Sequence, residues 1–408
     1  MKKLIFGLIL LFTCLPCGAD ILTVDDDGPA DFNNIQAALD YSSDGDIIIV
    51  QPGHYNGRLG FWNSFSSQHN FIDFMGKNIT LTSVNPSNHD IVYSTVIDAT
   101  VRFSGTEDSS CVLSGFRITG AGHTGIIGVP SFIIEPGRVL TKATIANCII
   151  QKIVDGWCII YCDGLIKNCL IADSFNLAGD GMNLLPAIFG CHGEFLNCTI
   201  ANNYGGYPIS LTNGHLDLVN CIVYGNHPWN NIFISNGCSI DISYCNIQNG
   251  LAGIAGTGSV LWGPGNIDSD PCFAREGFWD TVEGDYHLKS QAGRWDPNTQ
   301  SWVIDDVTSP CIDAGNPGCP LGSEFKDSNN VRINMGAFGG TPLASKTPAN
   351  WRSISDLTND WIVDSHDLFV FTDYWLGTDR CLPGDLNRNQ SVDFADFAIF
   401  SLNWLAGK

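Results

Sequence analysis

A right-handed parallel β-helix, an all-β solenoid with a capping helix at its N-terminal end and a small helical domain behind it, is the fold the sequence predicts. Three observations predict it. A short Asn-Cys motif recurs with a period in the low twenties. The composition is poor in charge and rich in glycine. A block of 21 residues near the C-terminus repeats at an offset of 29, with eight positions identical.

Composition sets the first limits. Of 408 residues, 15% are charged, against roughly 25% in ordinary soluble domains. A helical bundle needs more solvent-facing charge than that. The chain carries 20 Lys and Arg against 42 Asp and Glu, a net charge of −22. Phosphate backbones are held by clustered positive charge, so a nucleic-acid partner is excluded. Such a surface suits cations.

The elements follow in chain order. Residues 1–19 read as an export signal: Lys2 and Lys3, an apolar run from Leu4 to Phe12, then Cys17-Gly18-Ala19 before Asp20. A lipobox ending at Cys14 or Cys17 is the alternative. No later stretch has the length of a transmembrane helix, and the chain is expected to be secreted or held at a cell surface. There, disulfides are allowed. Residues 21–24 read as a first strand, Asp31–Ser43 as an amphipathic helix with Phe32, Ile35 and Leu39 on one face, and Ile47–Val50 as a buried strand ended by Pro52-Gly53. The helix would cap the open edge of the first coil. Further strands are expected at Asn78–Ser83, Ser94–Ile97 and Cys111–Thr119.

The repeats begin at Asn147-Cys148-Ile149-Ile150. They continue at Asn168-Cys169, Asn197-Cys198 and Asn220-Cys221, and at Tyr244-Cys245 without the Asn. The Cys-to-Cys steps are 21, 29, 23 and 24 residues. Three residues before each Cys stand Ile145, Ile166, Phe195, Leu218 and Ile242. Two after it stand Ile150, Ile171, Ile200, Val223 and Ile247. One such coil cannot bury a face alone, but stacked coils share a continuous core. The Asn is expected at a bend, passing amide hydrogen bonds from coil to coil, and the Cys to fill a narrow corner. Cys162, Cys191 and Cys238, each seven residues before a repeat Cys, form another column, in which a Cys162–Cys191 bridge is conceivable. Residues 251–345, with Trp262, Trp279, Trp295 and Trp302, lose the period and read as irregular final coils. Trp229 and Trp262 are candidates for stacking on sugar rings.

A family resemblance rests on particular stretches. Thr23-Val24-Asp25-Asp26-Asp27-Gly28, Asp31-Phe32-Asn33-Asn34-Ile35-Gln36-Ala37-Ala38 and Gly45-Asp46-Ile47-Ile48-Ile49-Val50-Gln51-Pro52-Gly53-His54-Tyr55 resemble the opening of pectin-esterase-like and pectate-lyase-like β-helix proteins. Ser309-Pro310-Cys311-Ile312-Asp313-Ala314-Gly315 and Ile333-Asn334-Met335-Gly336-Ala337-Phe338-Gly339-Gly340 resemble the closing segment of secreted β-helix proteins of planctomycete-type bacteria. The resemblance implies one β-helix domain over residues 20–345. The esterase and pectate-lyase active-site motifs are missing. Gly179-Asp180-Gly181 and Gly190-Cys191-His192-Gly193 only echo a polygalacturonase set, so those activities are not carried over.

Residues 346–355 read as a linker, and residues 356–408 as a second domain. Asp356, Thr358, Asp360, Asp364 and Asp367 occupy positions 1, 3, 5, 9 and 12 of a calcium loop, with Ile362 giving a backbone carbonyl at position 7. Asp385, Asn387, Asn389, Asp393 and Asp396 repeat the pattern, with Ser391 at position 7. Oxygen ligands at these offsets wrap Ca²⁺. The duplication, the Asp at position 12 and the apolar helix after it resemble type I dockerin modules. That likeness implies anchoring to a cohesin-like protein partner. Trp361 and Gln390 stand where the loop expects Gly at position 6, and positions 10 and 11 are Ser365-His366 and Phe394-Ala395.

The coil register yields one candidate site. His192, Glu194, His215 and Asp217 have the parity opposite to the core columns and should share one outward face. Coils lie about 4.8 Å apart, so the four would form a small rectangle able to hold a metal or to supply an acid and a base. Two functions remain open. One is binding of an extracellular polysaccharide, with or without its degradation as a lyase or glycoside hydrolase, by a protein held through the dockerin-like module. The other is a non-catalytic structural or adhesive surface protein.

Overall fold

A computed structural model describes residues 18–61, 68–120, 124–129, 141–175, 184–227, 232–278, 282–324 and 329–407. Cys14, Cys17 and most of the signal stretch, Gly179–Gly181, Trp229 and Trp279 lie outside the described residues.

The chain winds through three sheets in turn. The first holds ten strands, from Ile21–Val24 through Thr144–Ala146 to Ser259–Trp262. The second holds eight, from Gly53–Asn56 through Ile149–Gln151 to Asn246–Ile247. The third holds nine, ending at Ile254–Gly256. Every ladder among them is parallel except that of Arg58–Phe61 with Gln68–Asp73. This is a parallel β-helix, and its core columns run as the alternation requires. Ile145, Ile166, Phe195, Leu218 and Ile242 are register partners in the first sheet. Ile150, Ile171, Ile200, Val223 and Ile247 are partners in the second. All ten are buried, each burial stabilising by about 1.5–3 kcal/mol.

The corner between the first two sheets explains the Asn-Cys pair. Asn147, Asn168, Asn197, Asn220 and Tyr244 all have φ between 50° and 56°. Among non-glycine residues Asn tolerates this left-handed conformation best. The strand expected over Cys111–Thr119 breaks at the same corner, into Val112–Ser114 and Arg117–Ile118, because Gly115 takes φ 81° there. The five repeat Cys are buried in one cluster. Backbone N–H of Cys198 donates to Cys221 Sγ at 3.4 Å, and that of Cys221 to Cys245 Sγ at 3.3 Å. Cys162 and Cys191 stack in the same way, without a bridge.

The Asn column departs from expectation. Only Asn220 Nδ2 donates to the next Asn, at 3.1 Å to Asn197 Oδ1. The amides of Asn168 and Asn197 are taken by the closing segment, which lies over this corner. Asn168 donates to Ala337 and Gly339 carbonyls, Asn197 donates to Asn334 O, and Asn220 Oδ1 accepts from Asn316 N at 2.7 Å. A second core forms there between Ile149, Leu170 and Ile222 and the closing residues Ile312, Met335 and Ala337. The second sheet is therefore buried on both faces, which is why its strands read as unbroken apolar runs. Asn220→Ala should cost about 3 kcal/mol, through two lost hydrogen bonds and an unfavourable φ for alanine. Asn147→Ala, whose amide makes one 3.5 Å contact to Ser114, should cost about 1 kcal/mol. Urea unfolding of the two variants measures the difference.

The capping helix α1 spans Ile35–Tyr41, shorter than expected. Asp31 is tied to Thr23, whose N–H and hydroxyl both donate to it, and Asn34 caps the helix instead. A second helix, α2, occupies His89–Ser94 just before the strand Thr95–Asp98. Within 251–345 one more coil forms, then two antiparallel hairpins, Phe273–Arg275 with Asp285–Leu288 and Arg294–Asp296 with Ser301–Val303. Two helices follow, α3 (Ser365–Asp373) and α4 (Phe394–Leu402), each with an Asp capping box.

Candidate functional site

The two acidic loops ahead of α3 and α4 have the same internal wiring. Asp356 accepts from the backbone N–H groups of Asp360 and Trp361, and Asp385 from those of Asn389 and Gln390. Asp367 accepts from Thr358 N and Asp364 N, and Asp396 from Asn387 N and Asp393 N. Trp361 has φ 75° and Gln390 φ 70°, so both loops keep the left-handed turn at position 6 without glycine. The carboxylate at position 1 accepts the N–H of that strained residue in each copy and holds the turn. Burial raises the Asp367 carboxyl above its usual range, with the Asp356 charge adding to it against the hydrogen bonds from Asp364 and Thr358.

The module is fastened to the β-helix. Arg332, wholly buried, donates to the carbonyls of Ala314 and Gly315 and to that of Asp356. Arg352 lies 2.9 Å from Asp356, each side chain only 1% exposed, and its guanidinium covers the Trp361 ring at 3.9 Å. The position 4 residues of both loops reach across. Asn359 donates to Gly265 and Ala314 carbonyls, and Arg388 to those of Pro317, Cys319 and Val331. A Cys319–Cys381 disulfide joins the two parts. Residues 346–355 pack along the way, with Trp351 against the second core.

The outward quartet is divided. Glu194 and Asp217 are register partners on the first sheet. His192, however, turns toward Asp163, with Nδ1 at 3.0 Å and its side chain 14% exposed. The missing Cβ of Gly214 makes room for that ring. Glu194 pairs with Arg380 of the C-terminal module at 3.3 Å. Burial raises the Glu194 carboxyl above its usual range, with Arg380 opposing and Asp217 adding. His215 Nε2 lies 3.1 Å from Asp217, and its Nδ1 lies 2.8 Å from Ser239 Oγ. Asp241, the register partner of Asp217, completes a group of one exposed and two half-buried residues whose ligand atoms all lie within 4.8 Å of one another. The structure thus brings together His215, Asp217 and Asp241. The parity that identified Asp217 also marks Asp241.

The outward side of the third sheet carries rings. Phe189 and Phe233 stand in its outward column. Tyr207 stacks on Phe233 at 4.9 Å, Tyr161 meets Phe189 edge-on at 5.7 Å, and Trp157 lies 6.3 Å from Phe189. All five are half-buried.

A family model described as "Disaggregatase related" matches residues 241–315. No curated protein sequence matches the chain. Among solved structures, a pectin methylesterase from Aspergillus niger is 14% identical over 63% of this chain and 88% of its own, with a TM-score of 0.38. The pectate lyase Pel9A is 13% identical over 79% of this chain and 96% of its own, with a TM-score of 0.36. The architecture rests on the parallel ladders themselves rather than on these likenesses.

Proposed function

We propose that the chain is an exported β-helix that binds an extracellular polysaccharide and is held in place through a C-terminal module that takes up two Ca²⁺ ions. The observation that carries the calcium reading is the duplicated loop, wired alike in both copies. Asp356, Thr358, Asp360, Asp364, Asp367 and the Ile362 carbonyl would hold one ion. Asp385, Asn387, Asn389, Asp393, Asp396 and the Ser391 carbonyl would hold the other. Bound Ca²⁺ would neutralise the clustered carboxylates. The chain's own residues fix the loop turns and set α3 against α4.

Between those helices an apolar groove of about 340 Å³ is lined by Leu368, Phe371, Trp375, Phe394 and Phe397, and Phe394 is 77% exposed. Such a groove suits a protein partner of the cohesin kind. No helix among the described residues is long and apolar enough to cross a membrane.

The rings along the third sheet support polysaccharide binding, because flat apolar faces at successive coils match a chain of sugar rings. Binding is favoured over catalysis at the first sheet, where His192 is turned inward and Glu194 is paired. The test is retention of the full chain on neutral and uronic-acid polysaccharides, with reducing ends and unsaturated products measured in parallel. Tyr207→Ala with Phe233→Ala should weaken retention about tenfold, or ~1.4 kcal/mol. Unchanged retention counts against the ring surface. His192→Ala with Asp217→Ala should leave retention unchanged.

A further inference from the structure

Beside α2 the closing segment covers the second sheet incompletely. A cleft of about 300 Å³ opens there, with Ile149 and Leu170 at its base, His89 and Tyr93 on one wall and Asp285 and His287 on the other.

Two imidazoles meet at this cleft, their ring centres 5.8 Å apart. His287 is 1% exposed, and its Nδ1 lies 2.6 Å from Asp285 Oδ1. Arg294 pairs with Asp285 and with Asp305, so the Asp285 carboxylate is fixed and ionised. An imidazole nitrogen facing a carboxylate donates its proton, which leaves Nε2 of His287 with a lone pair. That Nε2 is buried and has no hydrogen-bond partner among the described residues. The same holds for Nδ1 of His89. Phe338 stacks on His287 at 3.7 Å and Tyr93 on His89 at 5.9 Å, so both ring planes are held. A buried polar atom left without a partner costs about 1–3 kcal/mol. Two such nitrogens at one cleft call for a common partner.

We propose that His89 and His287 bind one divalent transition-metal ion of the zinc class, with Asp285 orienting His287 from outside the coordination shell. Imidazole nitrogens select such an ion over Ca²⁺, which takes oxygen ligands. Metal–nitrogen bonds of about 2.0–2.1 Å put two ring centres roughly 5–6 Å apart, the separation found here. Asp90 Oδ1 lies 3.9 Å from His89 Nδ1, but among the described residues it is not gathered with both imidazoles into one three-donor group, so the protein supplies two nitrogen ligands. Glu283 is already engaged by Gln151, Lys152 and Arg117 and is not a ligand. The remaining positions face the cleft. The site is separate from the acidic loops and from the His215 group, and it does not rest on the polysaccharide reading.

The probe is Co²⁺ added to the full chain after saturation with Ca²⁺, followed by its visible absorption. One equivalent should develop bands of a nitrogen- and oxygen-ligated ion, and Zn²⁺ should displace them. His89→Ala and His287→Ala should abolish the bands. Asp285→Asn should weaken binding about 10–100-fold while keeping their shape. His215→Ala should change nothing. Absence of bands, bands that survive both histidine substitutions, or intense thiolate charge-transfer absorption from the buried cysteines would each overturn the proposal. Should the variants fail to fold, the unsubstituted protein still decides. Zn²⁺ should shift the ¹⁵N resonances of His89 Nδ1 and His287 Nε2, and shifts confined to other histidines overturn the assignment.

Discussion

Arg332→Ala should lower stability by about 3–5 kcal/mol, the usual cost of removing one member of a buried charged network. Arg332 is the largest wholly buried side chain among the described residues. Its guanidinium ties the closing segment at Ala314 and Gly315 to the first acidic loop at Asp356, and it lies 5.5 Å from the Tyr244 ring centre. Truncation takes the donor from the Gly315 and Asp356 carbonyls, while Ala314 keeps Asn359; it also opens a cavity and removes the charge that faces Asp356 and Asp313. Arg332→Lys should recover only part of the loss, because an ammonium keeps the charge but not the planar fork. Urea unfolding followed by tryptophan fluorescence measures both. A loss below about 1 kcal/mol for the alanine variant would contradict the role given to this residue.

Removing Ca²⁺ should produce the second large effect. With free ion at about a thousand times its Kd, uptake stabilises the folded module by about 4 kcal/mol, and chelation removes that term. The module should not detach, since the Cys319–Cys381 disulfide and Arg332 remain. The two loops should respond unequally. Arg352 already neutralises Asp356 in the first, and no arginine or lysine pairs with Asp385 among the described residues. Hydrogen exchange should therefore quicken first in residues 385–405, while the coils over 144–247 stay protected. Asp385→Ala should reproduce the change in the presence of Ca²⁺. Unaltered protection in α4 after chelation would count against the calcium reading.

Much of the solenoid was legible because its signal is periodic. The Cys of each coil fixes the phase, and alternation from that point gives the inward columns at Ile145 and Ile150 and their partners. The left-handed corner explains why Asn precedes Cys, though not where its amide goes, since Asn334 and Asn316 come from a segment far along the chain. The described residues of that segment form turns and bends rather than strands, the stretch before it forms antiparallel hairpins, and α2 is only six residues long. His192 has the right parity for an outward residue but is drawn to Asp163, an attraction that parity does not report. The Cys319–Cys381 pairing spans 62 residues, and no spacing rule points to it. Trp361 and Gln390 read as breaks in the loop pattern, whereas the carboxylates of Asp356 and Asp385 hold both in the required turn.

The most direct test of the account is a calorimetric titration of the full chain with Ca²⁺. Two bound ions are expected, one of them lost in Asp385→Ala and the other in Asp367→Ala, with the parallel β-helix unchanged by circular dichroism. No Ca²⁺ uptake by the folded, unsubstituted chain would contradict the central claim that the duplicated C-terminal loops are a calcium module.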